Sequence, residues 1–269
     1  MDRIARIFTG SFKLATSDLA NQFALPVKSM TGSLVSRYTA KTSRKLNELL
    51  IETHMNVGKD DYIFEIGYGR GDAIKMCFEK VSPGKGMIFG VERSGYLDEF
   101  ARKRFDLEIA ETSKIRIDSA IDLRNLPYPT DIFDHVFHVD LFYFLRQDHL
   151  IDINREILRV LKPGAEIVSA MQFSKLKKLT ENGILDRTQW DPMRYLTSLE
   201  AAEFENVGLS YHEDEEIGEY QIIRGRRAEK LESDLDPEEM FKKLALDMKQ
   251  ERLAIAMLNN KKDTTGDLE

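Results

Sequence analysis

Tyr62-Ile-Phe-Glu-Ile-Gly-Tyr-Gly-Arg-Gly-Asp72 joins an apolar segment, carrying the acid Glu65 near its end, to three glycines at alternate positions. Ile63, Phe64 and Ile66 read as a parallel strand buried on both faces. Gly67, Gly69 and Gly71 let the backbone turn sharply and approach a ligand with no Cβ in the way. A helix is expected directly afterwards, because Ala73, Ile74, Met76, Cys77 and Phe78 supply apolar positions between Asp72 and Glu79. Strand, glycine turn and helix in that order form the nucleotide-holding unit of a doubly wound α/β sheet.

Glycine spacing separates the cofactor classes. A dinucleotide fingerprint is GxGxxG, with a pyrophosphate at the helix N-terminus. Here the position of the third glycine is Asp72, a carboxylate that repels a phosphate. The pattern GxGxG preceded by an acid resembles motif I of the class I S-adenosylmethionine (SAM) methyltransferases, whose cofactor has an adenosine and no phosphate. A second strand, Gly86 to Glu92, ends in an acid roughly twenty residues past the loop, where a ribose-binding carboxylate belongs. A third is expected at Lys114 to Asp118. The family then places a polar residue and a backbone N–H on the adenine edge. These are Ser119 and Ala120 if the strand stops at Asp118, or Asp122 if Leu126-Pro127-Tyr128 aligns with the family's Leu-Pro-Phe.

Two later landmarks extend the resemblance. Ile132-Phe-Asp-His-Val-Phe-His138 resembles the family's fourth strand, and Ile157-Leu-Arg-Val-Leu-Lys-Pro-Gly-Ala-Glu-Ile-Val168 its Leu-x-Pro-Gly-Gly helix, turn and fifth strand. In this reading Leu161 ends the helix, Pro163 stops it and Gly164 permits the turn, with Ala165 replacing a second glycine. The order of these elements is similar to the ubiquinone and menaquinone biosynthesis methyltransferases. The resemblance implies a doubly wound, mostly parallel seven-stranded sheet and SAM as cofactor. Glu65, Gly67, Gly69, Gly71, Glu92, Arg93, Ser119, Ala120 and His138 would lie around that cofactor. Methyl transfer from a sulfonium is an in-line displacement in which proximity and orientation supply roughly 7–11 kcal/mol, so no acid or base is obligatory. If the acceptor needs a base, His138, Asp140 and Tyr143 are the candidates at the end of strand four, and Phe142 to Phe144 could face the sulfonium.

Composition bounds the rest. A chain of 269 residues with 42% hydrophobic content can bury one substantial core. A net charge of -7 disfavours a nucleic-acid substrate held through its phosphates. The single Cys77 permits no internal disulfide and reads as a small core residue, which points to cytoplasmic surroundings. No metal site is expected, and His212-Glu-Asp-Glu-Glu216 reads as a solvated hairpin tip.

Residues 1–58 are expected to form a helical cap, 59–227 the SAM-binding domain and 228–269 a charged helix and tail. Leu34, Leu46, Leu49, Leu50 and Ile51 give the cap its helical pattern. Ile4, Ile7, Phe8 and Phe12 form an apolar stripe beside Arg3, Arg6 and Lys13, which could rest on a membrane or serve as a mitochondrial presequence, although Asp2 and Asp18 weigh against both. Ser174 to Thr197, with Trp190-Asp-Pro-Met-Arg-Tyr195, reads as a substrate cover. A helix over Ser198 to Asn206 and strands at Leu209 to His212 and Tyr220 to Arg224 would follow. Asp236 and Pro237 open a last helix to Asn259, with Phe241, Leu244, Met248, Ile255 and Leu258 on one face. The acceptor expected is a small, lipid-like molecule. The alternatives are a protein substrate, or a SAM-binding partner protein without catalysis.

Overall fold

The computed structural model describes residues 17–120, 122–229, 241, 244–245 and 248–249. The chain divides into two compact units, Met1–Ala228 and Glu229–Glu269. In the second unit the described residues from 241 to 249 are helical; the rest of the expected helix, like the stripe from Ile4 to Phe12, lies outside the described residues.

The first unit is a seven-stranded sheet in the order β3-β2-β1-β4-β5-β7-β6. Its strands are β1 (Tyr62–Ile66), β2 (Met87–Glu92), β3 (Ile115–Ser119), β4 (Phe133–Val139), β5 (Leu161–Gln172), β6 (Glu205–Asp214) and β7 (Gly218–Arg226). The first five pair in parallel, while β7 runs antiparallel to both β5 and β6. Ile63, Phe64 and Ile66 are buried on both faces, as a strand covered by helices on each side requires. Consecutive strand order breaks between β1 and β4, so the carboxyl ends of these two strands open onto the crevice where α/β sheets hold ligands.

The helices are α1 (residues 17–24), α2 (Met30–Leu49), α3 (Asp72–Val81), α4 (Gly95–Arg104), α5 (Asp106–Thr112), α6 (Leu150–Val160), α7 (Phe173–Glu181) and α8 (Pro192–Ala201). Ser29 caps α2 by accepting from the Gly32 N–H at 2.9 Å, and the helix runs on into one π-helical turn, Leu50–His54. Val35, Leu46 and Leu50 of this segment are buried, and so is Cys77 on α3.

Two predicted boundaries move. The helix expected over Ser198 to Asn206 is α8. Asp191 caps it by accepting from the Met193 N–H at 3.0 Å and Pro192 fills its first turn, so it ends by Ala201 and Glu205 already opens β6. The Lys-Pro-Gly turn is a bulge within β5. Phe133 pairs with Leu161 and His135 with Glu166, which pushes the intervening residues of β5 out of register. Gly164 adopts φ 77° there, and the backbone of Arg227 closes the bulge through bonds to Gly164 (3.1 Å) and Ala165 (2.9 Å).

Candidate active site

At the carboxyl ends of β1 and β4 lies a cleft floored by the glycine loop and roofed by α1 and α2, whose Phe23, Ser36, Thr39, Ala40, Ser43 and Asn47 line it. The loop glycines all lie at positive φ, 77° at Gly67, 56° at Gly69 and 81° at Gly71. Two reasons for glycine differ. A Cβ at Gly71 would sit 2.5 Å from the Phe105 ring, whereas one at Gly69 would meet nothing within 4 Å because that face opens into the cleft. Asp72 begins α3 and is ion-paired with Arg104 at 2.7 Å. Its carboxylate stands at the helix N-terminus, the place a dinucleotide's pyrophosphate would take.

Glu92 ends β2 and clamps the loop. Its Oε2 accepts from the Gly69 N–H at 2.9 Å and its Oε1 from the N–H groups of Arg93 (2.8 Å) and Ser94 (2.9 Å). Burial pushes its pKa up while these three N–H donors pull it back. A carboxylate has about four acceptor positions, so three bonds leave one, on Oε2. Glu65 is buried behind the loop. Burial first, then the charges of Glu92 and Asp72, raise its pKa to about 8, and its Oε2 has no hydrogen-bond partner.

The far end of the cleft holds a buried ion pair. Lys175, in the first turn of α7, places Nζ 2.6 Å from Asp140 Oδ2 and 2.7 Å from Ser43 Oγ, and Ser43 itself donates to Asp140 Oδ2 at 2.7 Å. The Asp140 backbone sits at φ 56°, a strained conformation that aspartate tolerates better than most residues. Its Oδ1 is buried without a partner, and so is the hydroxyl of Tyr143, whose pKa burial and the neighbouring Asp140 hold well above the ordinary phenol value. Among the described residues seven buried side-chain polar atoms lack a partner; four of them, on Asn47, Glu65, Asp140 and Tyr143, belong to residues of this cleft. Buried polar groups are normally satisfied, so this concentration marks a place built to receive polar ligand atoms.

Of the residues expected from sequence, Glu65, Gly67, Gly69, Glu92, Arg93, Asp140 and Tyr143 line the cleft together. His138 does not. Its side chain is buried on the other face of the sheet, held by the Tyr195 hydroxyl at 2.7 Å and Ser169 Oγ at 3.3 Å, and burial drives its pKa down to about 3. Successive side chains along β4 alternate between faces, which turns His138 away while Val139 borders the cleft. As placed, the His138 side chain does not reach the cleft where it was expected to act as a base. Neither Ser119, Ala120 nor Asp122 borders the described cleft; Leu123 does, while Asp122 is exposed and ion-paired with Arg124 at 2.7 Å. Lys175, Ser43 and Asn47 escaped the sequence reading, since a lysine or serine on a helix of otherwise ordinary pattern gives no sign of being turned inward.

The match to known families falls on this same region. Residues 63–164 match the family model described as a methyltransferase domain. The match spans 102 of the chain's 269 residues. That span runs from β1 through the glycine loop, Glu92 and β4 to the β5 bulge, whereas the cap and Lys175 lie outside it. Comparison of the whole sequence with curated proteins finds no match. Among solved structures, a putative methyltransferase of Haloferax volcanii in complex with the Trm112 methyltransferase activator superposes with a TM-score of 0.56 at 19% identity, over 72% of this chain and 96% of that one. Geranyl diphosphate C-methyltransferase from Streptomyces coelicolor A3(2) gives 0.53 at 17%, over 76% and 86%. The [4+2]-cyclase SpnF gives 0.51 at 19%, over 70% and 82%. These likenesses establish a Rossmann-like fold for the superposed part of the chain, a fold that chains of different chemistry share.

Proposed function

We propose that the chain binds SAM in this cleft and moves its methyl group to a small-molecule acceptor. The observation that carries the reading is the convergence of four unpartnered buried polar atoms on one cleft that also contains the glycine loop and Glu92. The cleft fits that cofactor. Glu65, protonated at neutral pH in the folded chain, can give up its proton and meet an ammonium group through Oε2, the remaining position on Glu92 Oε2 can accept a ribose hydroxyl, and the open face of Gly69 leaves room for a ligand. Asp72 at the start of α3 disfavours a dinucleotide. When bound, SAM supplies a methyl group on a positively charged sulfur, ready for in-line displacement.

The chain's own residues do the positioning. Lys175 and Ser43 hold Asp140 Oδ2, which leaves Oδ1 to accept a proton or a hydrogen bond from an acceptor O–H or N–H. Tyr143 stands beside it as a donor. Leu141 and Phe144 make the neighbouring wall apolar, which suits an acceptor with a hydrocarbon body. The solved relatives support this class: the Streptomyces coelicolor enzyme was crystallised with geranyl diphosphate and S-adenosyl-L-homocysteine. Incubation with methyl-labelled SAM and a fractionated extract, followed by mass spectrometry, tests the transfer. Label is expected in a small, partly apolar molecule, and label confined to protein would contradict this acceptor class.

A second reading keeps the pocket without methyl transfer. The similarity to the cyclase favours considering it. SAM binding with no labelled product in any fraction would support it.

A further inference from the structure

The cap carries a second surface that the cleft does not use. Along α2, Ser36, Thr39, Ser43 and Asn47 face inward to line the cleft. The opposite face is exposed and changes character along its length. Met30 is 82% exposed, Leu34 60% and Tyr38 41%, with Val27 at 50% in the loop just before the helix. Arg37, Lys41 and Arg44 then continue the exposed face, and among the described residues none of the three has an ion-pair or hydrogen-bond partner. The helix has one acid, Glu48, which pairs with Lys45 at 3.1 Å. Lys41 and Lys45 share a shallow groove with Lys178 of α7, where Glu216 is the one acid. All this stands on a chain whose net charge is -7.

We infer that the outer face of α2 docks this protein on an anionic lipid surface, its apolar side chains entering the headgroup boundary and its cations resting on the phosphates. Exposed aliphatic and aromatic groups adjoining unpaired cations on one helical face are what an interfacial helix needs. Each lysine or arginine near an anionic leaflet adds attraction, which salt weakens. A nucleic acid would use the cations but leave Met30, Leu34 and Val27 in water, so lipid accounts for both halves of the surface. Among the described residues no helix is long and apolar enough to cross a membrane, so the contact is superficial. Docking there would bring the cleft to within about the width of one helix, ~10 Å, of the bilayer. The inference goes beyond the proposed methyl transfer and does not depend on SAM.

Co-sedimentation of the full chain with vesicles tests it, using phosphatidylcholine alone and phosphatidylcholine mixed equally with phosphatidylglycerol. Binding is expected to the mixed vesicles, to fall with added salt, and to be weak on phosphatidylcholine alone. The double variant Met30→Asp/Leu34→Asp and the triple variant Arg37→Glu/Lys41→Glu/Arg44→Glu should each bind at least about tenfold more weakly. Circular dichroism and SAM titration of both variants should match the parent, which separates lost docking from lost folding or a mistaken cofactor. Failure of the parent to bind mixed vesicles, binding by both variants as tight as the parent's, or a concentration-dependent dimer that Leu34→Asp abolishes would overturn the inference.

Discussion

Lys175 Nζ lies 2.6 Å from Asp140 Oδ2, with the two side chains only 3% and 7% exposed, so α7 is fastened to the end of β4 by an ion pair almost out of water. Removing one partner strands the other charge. Lys175→Met or Asp140→Asn should each cost about 3–5 kcal/mol in urea denaturation, and the double variant should cost less than the sum of the two. Asparagine tolerates the positive φ at position 140, so Asp140→Asn isolates the charge from backbone strain. Simple additivity would show that the pair is not coupled.

Glu65 predicts a pH dependence. Its pKa in the folded state is raised to about 8 from the ordinary 4.5, so between these values the folded chain holds a proton that the unfolded chain has lost. Stability from this group is therefore greatest at the acidic end and declines as pH rises through about 8. Glu65→Gln should flatten that part of the profile. A cation bound beside Glu65 favours its ionised form, so SAM binding at pH 7 should release about one proton, measured by calorimetry in buffers of different ionisation enthalpy. Equal apparent enthalpies in all buffers would contradict the assignment.

Gly69 and Gly71 separate binding from folding. Gly71→Ala places a methyl group 2.5 Å from Phe105 in a left-handed conformation, and should lower stability by about 2 kcal/mol or more. Gly69→Val meets open space instead, so beyond the backbone strain of a branched residue at φ 56° it adds no clash, and its distinguishing loss should be in SAM affinity, at least about tenfold. A stability loss at Gly69 as large as that at Gly71, with affinity unchanged, would show that the open face is not a binding surface.

Glu92→Ala removes the acceptor for three backbone N–H groups as well as the proposed ribose contact. SAM affinity should fall at least about tenfold, and stability by about 1–3 kcal/mol, because the Gly69 and Ser94 donors lose their partner. Glu92→Gln keeps an oxygen acceptor and should retain more of both. Identical losses in the two variants would mean that charge, not the hydrogen bonds, holds the loop.

The sheet was legible because its information is local. Ile63, Phe64 and Ile66 announce a strand buried on both sides, and the loop glycines announce positive φ, which few other residues adopt. The Asp191-Pro192 start of α8 was equally local, yet the apolar pattern after it drew the predicted helix several residues too far. The polar end of the cleft was half legible. Asp140 and Tyr143 follow strand four directly, but Lys175 and Ser43 reach the same point from 35 and 97 residues away, and nothing in their own neighbourhoods says that they meet. The placement of the His138 side chain was not legible for a related reason: position along a strand fixes its depth in the sheet, whereas the face depends on a one-residue alternation that the end of the strand leaves open.

The central claim is that this cleft holds SAM. Isothermal titration of the purified chain tests it most directly, with SAM, S-adenosylhomocysteine and NADH as separate titrants. Saturable one-to-one binding of SAM and S-adenosylhomocysteine, lost in Gly69→Val, with no heat from NADH, is the predicted result. Binding of NADH without SAM, or SAM binding indifferent to Gly69→Val and Glu92→Ala alike, would contradict it.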